Sequence, residues 1–148
     1  MIEQISTDNL EEAKKLIKKK NRPIIIEAQT DLFNRKILEY GKFDILTNIE
    51  LQPNRKDKPK HLDSGLNHVL AKIASKNKIS IGIDLNKLRN LDKKDKAKTL
   101  ARIKQNIKVC RKAKTHLKIL NYQDKKDAFS FLLTLGSSTA QAKKAITF

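Results

Sequence analysis

Apolar positions along the chain switch between a helical and an extended rhythm. Leu10, Ala13 and Ile17 share one helix face. Asp8 with Glu11 three residues on predicts a capping-box start, and Lys18-Lys19-Lys20 suits the negative pole at the end. After Pro23 the β-branched run Ile24-Ile25-Ile26 predicts a buried strand. The pair then repeats. Asp31 is the expected cap of a helix carrying Phe33, Ile37 and Tyr40, closed by Gly41, and Phe43–Ile49 is the next strand. A polar, basic loop, Gln52–His61, leads to a helix expected over Leu66–Lys76 with Leu66, Val69, Leu70 and Ile73 on one side. Ile79–Leu85 is the clearest strand, Lys94–Lys114 a long basic helix, and His116–Asn121 another strand. Two helices end the pattern: Asp127–Leu135, stopped at Gly136, and one restarted by the capping box Ser138-Thr139-Ala140-Gln141.

Strand and helix thus alternate four times, or five if residues 3–6 form a short first strand. That alternation predicts βα units, a parallel sheet and right-handed crossovers. An eight-unit barrel needs about 200–250 residues, and the chain has 148. The expected fold is therefore α/β: one domain over residues 1–148, built of repeated βα units as a partial or truncated TIM-type barrel. Its sheet edge and inner apolar side chains are expected to lie open unless a partner covers them.

Charge sharpens the picture. The chain has 33 Lys and Arg against 16 Asp and Glu, a formal +17, and seven Phe and Tyr with no Trp. Such an excess points to a polyanion, above all nucleic acid held through phosphates. Few aromatics disfavour base stacking on exposed rings and disfavour a membrane-surface helix. Only six of the cations are Arg: Arg22, Arg35, Arg55, Arg89, Arg102 and Arg111. Between Asp92 and Lys114 ten cations face two acids, more than solubility requires. One cysteine excludes an intramolecular disulfide framework, and no apolar run approaches the ~20 residues of a membrane span. Nor does the start have the basic and apolar regions of a signal peptide, so a soluble, cytoplasmic protein with no membrane contact is expected.

Catalytic patterns are sparse. The four glycines form neither a Walker A loop nor a dinucleotide fingerprint. His61, His68 and His116 lack metal-ligand spacing, so no catalytic residue, metal site or protein-bound cofactor is expected. Cys110 falls on the apolar face of the basic helix, as a structural thiol. Asp84, at a strand end, is expected to cap the following turn.

The positive signal is Asn54-Arg55-Lys56-Asp57 followed by Asp63-Ser64-Gly65-Leu66-Asn67-His68-Val69-Leu70-Ala71-Lys72: a basic loop running into a helix N-terminus, where phosphate oxygens are favoured. With Ile79–Leu85, this stretch resembles ribonuclease P protein component 3, the archaeal and eukaryotic subunit with a TIM-type barrel. Ala140–Ile146 is similar to the C-terminal helix of that family. The chain departs from the pattern in a shorter region ahead of the motif and in an insertion, Lys58-Pro59-Lys60-His61-Leu62.

The resemblance implies a non-catalytic, RNA-binding subunit of ribonuclease P. The RNA subunit would remove the 5′ leader of precursor tRNA, with Mg2+ bound to RNA, and protein component 2 would be the protein partner. Asn54, Arg55, Lys56, Lys72, Arg89, Arg102 and Lys143 are the expected RNA contacts. Arg55 is expected to lie exposed and grip a phosphate with both arms of its guanidinium. Asp63, Ser64, Gly65 and His68 are expected to shape the motif, with Ser64 as helix cap. The alternatives are a metal-dependent phosphoesterase of the same barrel type and a generic basic, ribosome-associated RNA-binding protein.

Overall fold

The computed structural model describes residues 4–53 and 55–147. Strands β1 (Gln4–Ile5), β2 (Ile25–Glu27), β3 (Ile45–Thr47), β4 (Ser80–Asp84) and β5 (Leu117–Leu120) form one sheet in sequence order, every neighbouring pair parallel. Helices α1 (Leu10–Lys19), α2 (Asp31–Tyr40), α3 (His68–Lys76) and α5 (Lys93–Ala113) make the crossovers. A short α4 (Leu85–Arg89) follows β4 directly, and α6 (Lys125–Thr134) and α7 (Thr139–Ala145) close the chain. Sequential parallel strands joined by helices are the topology of a partial TIM-type barrel.

Side-chain alternation divides the core. Ile24, Ile26, Leu46, Ile81, Ile83, Leu117 and Ile119 belong to the large cluster that the helices cover. Ile25, Ile45 and Leu120 point the other way and form a small cluster of their own. These inner side chains are buried within the chain itself, contrary to the expectation that they lie open. Gly82 lets the layer close: a Cβ there would stand 2.7 Å from Ile45 Cγ2. At the β5 side, the Lys118 ammonium crosses to the end of α7 and donates to Lys144 O at 3.0 Å and to Thr147 O.

Several helix starts shift by a few residues. Asn9 rather than Asp8 caps α1, Thr30 rather than Asp31 caps α2, and α6, expected from Asp127, starts at Lys125 with Asp124 as its cap. The helix expected from Leu66 starts at His68, capped by Asn67 and not Ser64. Each winner stands where its side-chain oxygen reaches a backbone N–H two or three residues on. The Ser138–Gln141 capping box forms as expected. Val69, expected on the apolar face of α3, is 54% exposed, while Leu70 is buried. Cys110 is fully buried, and burial pushes its thiol up to about 12.

Candidate nucleic-acid interface

The site begins where β3 ends. Asn48 takes a left-handed conformation and starts a 3₁₀ turn, Ile49–Leu51, from which the chain enters the basic loop. Two arginines grip consecutive carbonyls of that turn. Arg55 donates to Ile49 O at 3.2 Å, and Arg102, from α5, donates to Glu50 O at 3.2 Å.

Each arginine also holds carboxylates: Asp57 and Asp63 from the loop, and Asp31 from the start of α2. Arg55 Nη1 lies 2.7 Å from Asp31 and 3.2 Å from Asp63. Arg102 Nη2 lies 2.9 Å from Asp57 Oδ2, and its Nε bonds to both Asp57 oxygens at 3.2 Å. The Arg102 guanidinium beside Asp57 holds that carboxyl below the usual carboxylate range. Asp63 accepts from Lys56 N–H at 3.1 Å, while its own N–H donates to Asp57 at 2.8 Å. Gln105 reaches Leu62 O and the Ser64 hydroxyl, and Asn106 reaches Ser64 O.

Gly65 explains itself in this frame. It sits at φ +81°, where L side chains are strained, and a Cβ would stand 2.6 Å from Ile49 O, beside the Arg55 guanidinium. Glycine at this place makes room for the arginine.

Arg55 is therefore a correction: its side chain is 6% exposed, and both terminal nitrogens of its guanidinium are bonded within the protein, to Asp31, Asp63 and Ile49 O. Arg102 is tied up in the same way. Lys56 is exposed, and Asn54 lies outside the described residues. Lys72 on α3, Arg89 on α4 and Lys143 on α7 are exposed, and among the described residues no hydrogen bond or ion pair joins them to the loop; Arg89 donates to Asn86 and Asn121 O. His68 opens α3, exposed, and Ser64 is buried as an anchor for Gln105.

Reading the motif alone missed Glu50. It is 3% exposed, and burial, reinforced by the nearby Asp84 charge, lifts its carboxyl to about 7 against the pull of Arg102 and Arg55. Its setting between Ile49 and Leu51 was the available signal. Asp84, expected to cap a turn, caps the short helix α4 through Asn86 N–H and accepts from Asn121 at 2.8 Å. Among the described residues no three His, Cys, Asp or Glu side chains gather in a way that could hold a metal ion, and no helix is long and apolar enough to cross a membrane.

The insertion is absorbed as a tight turn. Lys58 N–H donates to His61 O at 2.8 Å, and His61 N–H returns to Lys58 O at 3.2 Å. Asp57 and Asp63 thereby face each other across its base.

Together these features define a basic, parallel βα partial barrel whose signature motif is a hydrogen-bonded loop clamped to the long helix. No family model matches the chain. Ribonuclease P protein component 3 of Methanococcus maripaludis strain C6 is 33% identical over 115 residues, 76% of this chain and 46% of that protein. The Methanococcus vannielii protein is 36% identical over 115 residues, and the Methanocaldococcus jannaschii protein 34% over 107. The solved structure of archaeal ribonuclease P with mature tRNA contains a chain that superposes with a TM-score of 0.79 at 29% identity, covering 96% of this chain and 62% of that one. The crystal structure of an uncharacterised protein shares the fold alone, with a TM-score of 0.53 at 10% identity. By sequence and fold together, the chain is a relative of ribonuclease P protein component 3. It spans about half the length of the curated relatives it matches.

Proposed function

We propose that the chain acts as a non-catalytic, RNA-binding protein component of ribonuclease P, supporting the catalytic RNA as it removes the 5′ leader from precursor tRNA. The observation that carries this reading is the joint match: 33% identity over 115 residues to component 3 and a TM-score of 0.79 to a chain of an archaeal ribonuclease P. The +17 charge supports it, since phosphate neutralisation drives such binding. In this reading Mg2+ for the chemistry belongs to the RNA, and component 2 is the protein neighbour, by analogy with the family.

Reconstitution tests the proposal. A methanogen ribonuclease P assembled from its RNA and its other proteins, with component 3 omitted, should gain leader-cleavage activity when this chain is added. The chain alone should cleave neither precursor tRNA nor simple phosphoesters with any divalent metal. No gain on addition, together with no RNA binding, would overturn the reading; metal-dependent turnover by the chain alone would replace it with the phosphoesterase reading.

A further inference from the structure

We propose that the Lys58–His61 turn is a preformed finger that grips RNA phosphates, held in its binding geometry by the Asp57–Arg102 pair. The inference rests on the RNA-binding reading and names the site through which it acts.

The turn is closed by two backbone hydrogen bonds between Lys58 and His61. Its base is crossed by the bond from Asp63 N–H to Asp57, and pinned to α5 by Arg102 on Asp57 and by Gln105 on Leu62 O. The finger is thus anchored on both strands of its base. A cationic loop ordered before it meets its ligand avoids the entropic cost of ordering on contact.

The charges divide to the same end. Asp57 and Asp63, the acids of the segment, are engaged by Arg102 and Arg55. Lys56, Lys58 and Lys60 are exposed, and no ion pair among the described residues includes them. Lys98 of α5 lies near enough to stabilise the Asp57 carboxylate and carries the positive surface onto the helix. Residues 55–63 contain no Phe, Tyr or Trp, and the His61 imidazole at the end of the turn is the one aromatic ring in the segment, against four cations. Its chemistry suits the phosphate backbone of structured RNA.

The position of Asp57 separates this proposal from a plain basic patch. Removing its charge makes the chain more positive, so unspecific electrostatics calls for tighter binding; a finger held by Asp57 calls for weaker binding.

The experiment measures binding of the full chain to labelled ribonuclease P RNA of a methanogen over a salt series, with unfolding temperatures in parallel. The double variant Lys58→Gln, Lys60→Gln should keep its unfolding temperature and lower the log–log salt slope by about 1 per lysine. Asp57→Asn should bind several-fold more weakly than the unaltered chain despite its added positive charge, and Asp57→Glu should restore most of the affinity. If the unaltered chain binds with a steep salt dependence but Asp57→Asn binds as tightly or tighter, or the lysine pair leaves the slope unchanged, the finger is overturned and RNA binding stands. If the unaltered chain binds with no salt dependence, the finger is overturned and RNA binding stands; if it neither binds nor adds leader-cleavage activity on reconstitution, both are overturned. Should Asp57→Asn be unfolded at the assay temperature, the lysine pair decides alone.

Discussion

Cations in and against the loop between β3 and α3 are used in two opposite ways. At its base Arg55 and Arg102 are surrounded by carboxylates and carbonyls, and each makes at least three hydrogen bonds. At its tip Lys58 and Lys60 are exposed, and no ion pair among the described residues includes them. The division follows side-chain chemistry. A guanidinium is planar and forked, and satisfies several acceptors at once, so it is the cation that folds a loop. An ammonium is compact and strongly hydrated, so it stays in water until a polyanion displaces that water. A count of basic residues merges these two populations; the hydrogen-bond pattern separates them.

The largest test of the base is pH. Glu50 has a folded pKa of about 7 against an ordinary 4.5, so between those values the folded state holds the proton more tightly. Stability is then greatest at the acid end of that window and falls as pH rises through about 7. Linkage puts the loss at about 3 kcal/mol. Thermal unfolding at pH 5 and pH 8 should show this decline, and Glu50→Gln should flatten it; an unchanged slope in the variant removes Glu50 as its source.

Arg55→Ala should come next. It strips Asp31 of α2, Asp63 of the loop and the Ile49 carbonyl of their shared donor, but Asp31 and Asp63 both reach solvent. A cost of about 2–3 kcal/mol follows from the lost charge-assisted bonds. Chemical denaturation measures it, and a variant as stable as the parent would erase the contrast between base and tip. Gly65→Ala attacks the same bond from the other side, through the left-handed backbone and the crowding of Ile49 O, and should cost about 1–3 kcal/mol. The smallest effect is expected at the tip. Lys60→Gln should change stability by less than about 0.5 kcal/mol, read on the same denaturation curves.

Much of this architecture was legible from the sequence because it is local. Strand and helix follow from apolar periodicity, and the Ser138 capping box from four adjacent residues. Helix α4 was not foreseen: it follows β4 without a break, where Leu85 reads as the end of a strand and Asp84 as the cap of a mere turn. The site was legible as a segment but not as a mechanism. That Arg55 faces inward depends on Asp31, 24 residues away, and Arg102 finds Asp57 across 45 residues. No local pattern encodes such pairings. The one sequence clue was Gly65 close behind two aspartates, a space reserved for a side chain from elsewhere. Val69 failed for a related reason: helical spacing names a face, but the packing of neighbouring helices decides how much of that face is covered.

Cys110 gives these comparisons a clock. It is the sole thiol, fully buried on α5 within the large core cluster, and its proton is held far above neutrality. An alkylating reagent attacks thiolate, so modification has to wait for the helix to leave the core. Its rate under native conditions therefore reports the opening of the α5 layer itself. Because the residue is remote in sequence from the finger, the same alkylation run with and without RNA would register how far ligand at the loop slows the breathing of the helix to which that loop is bolted.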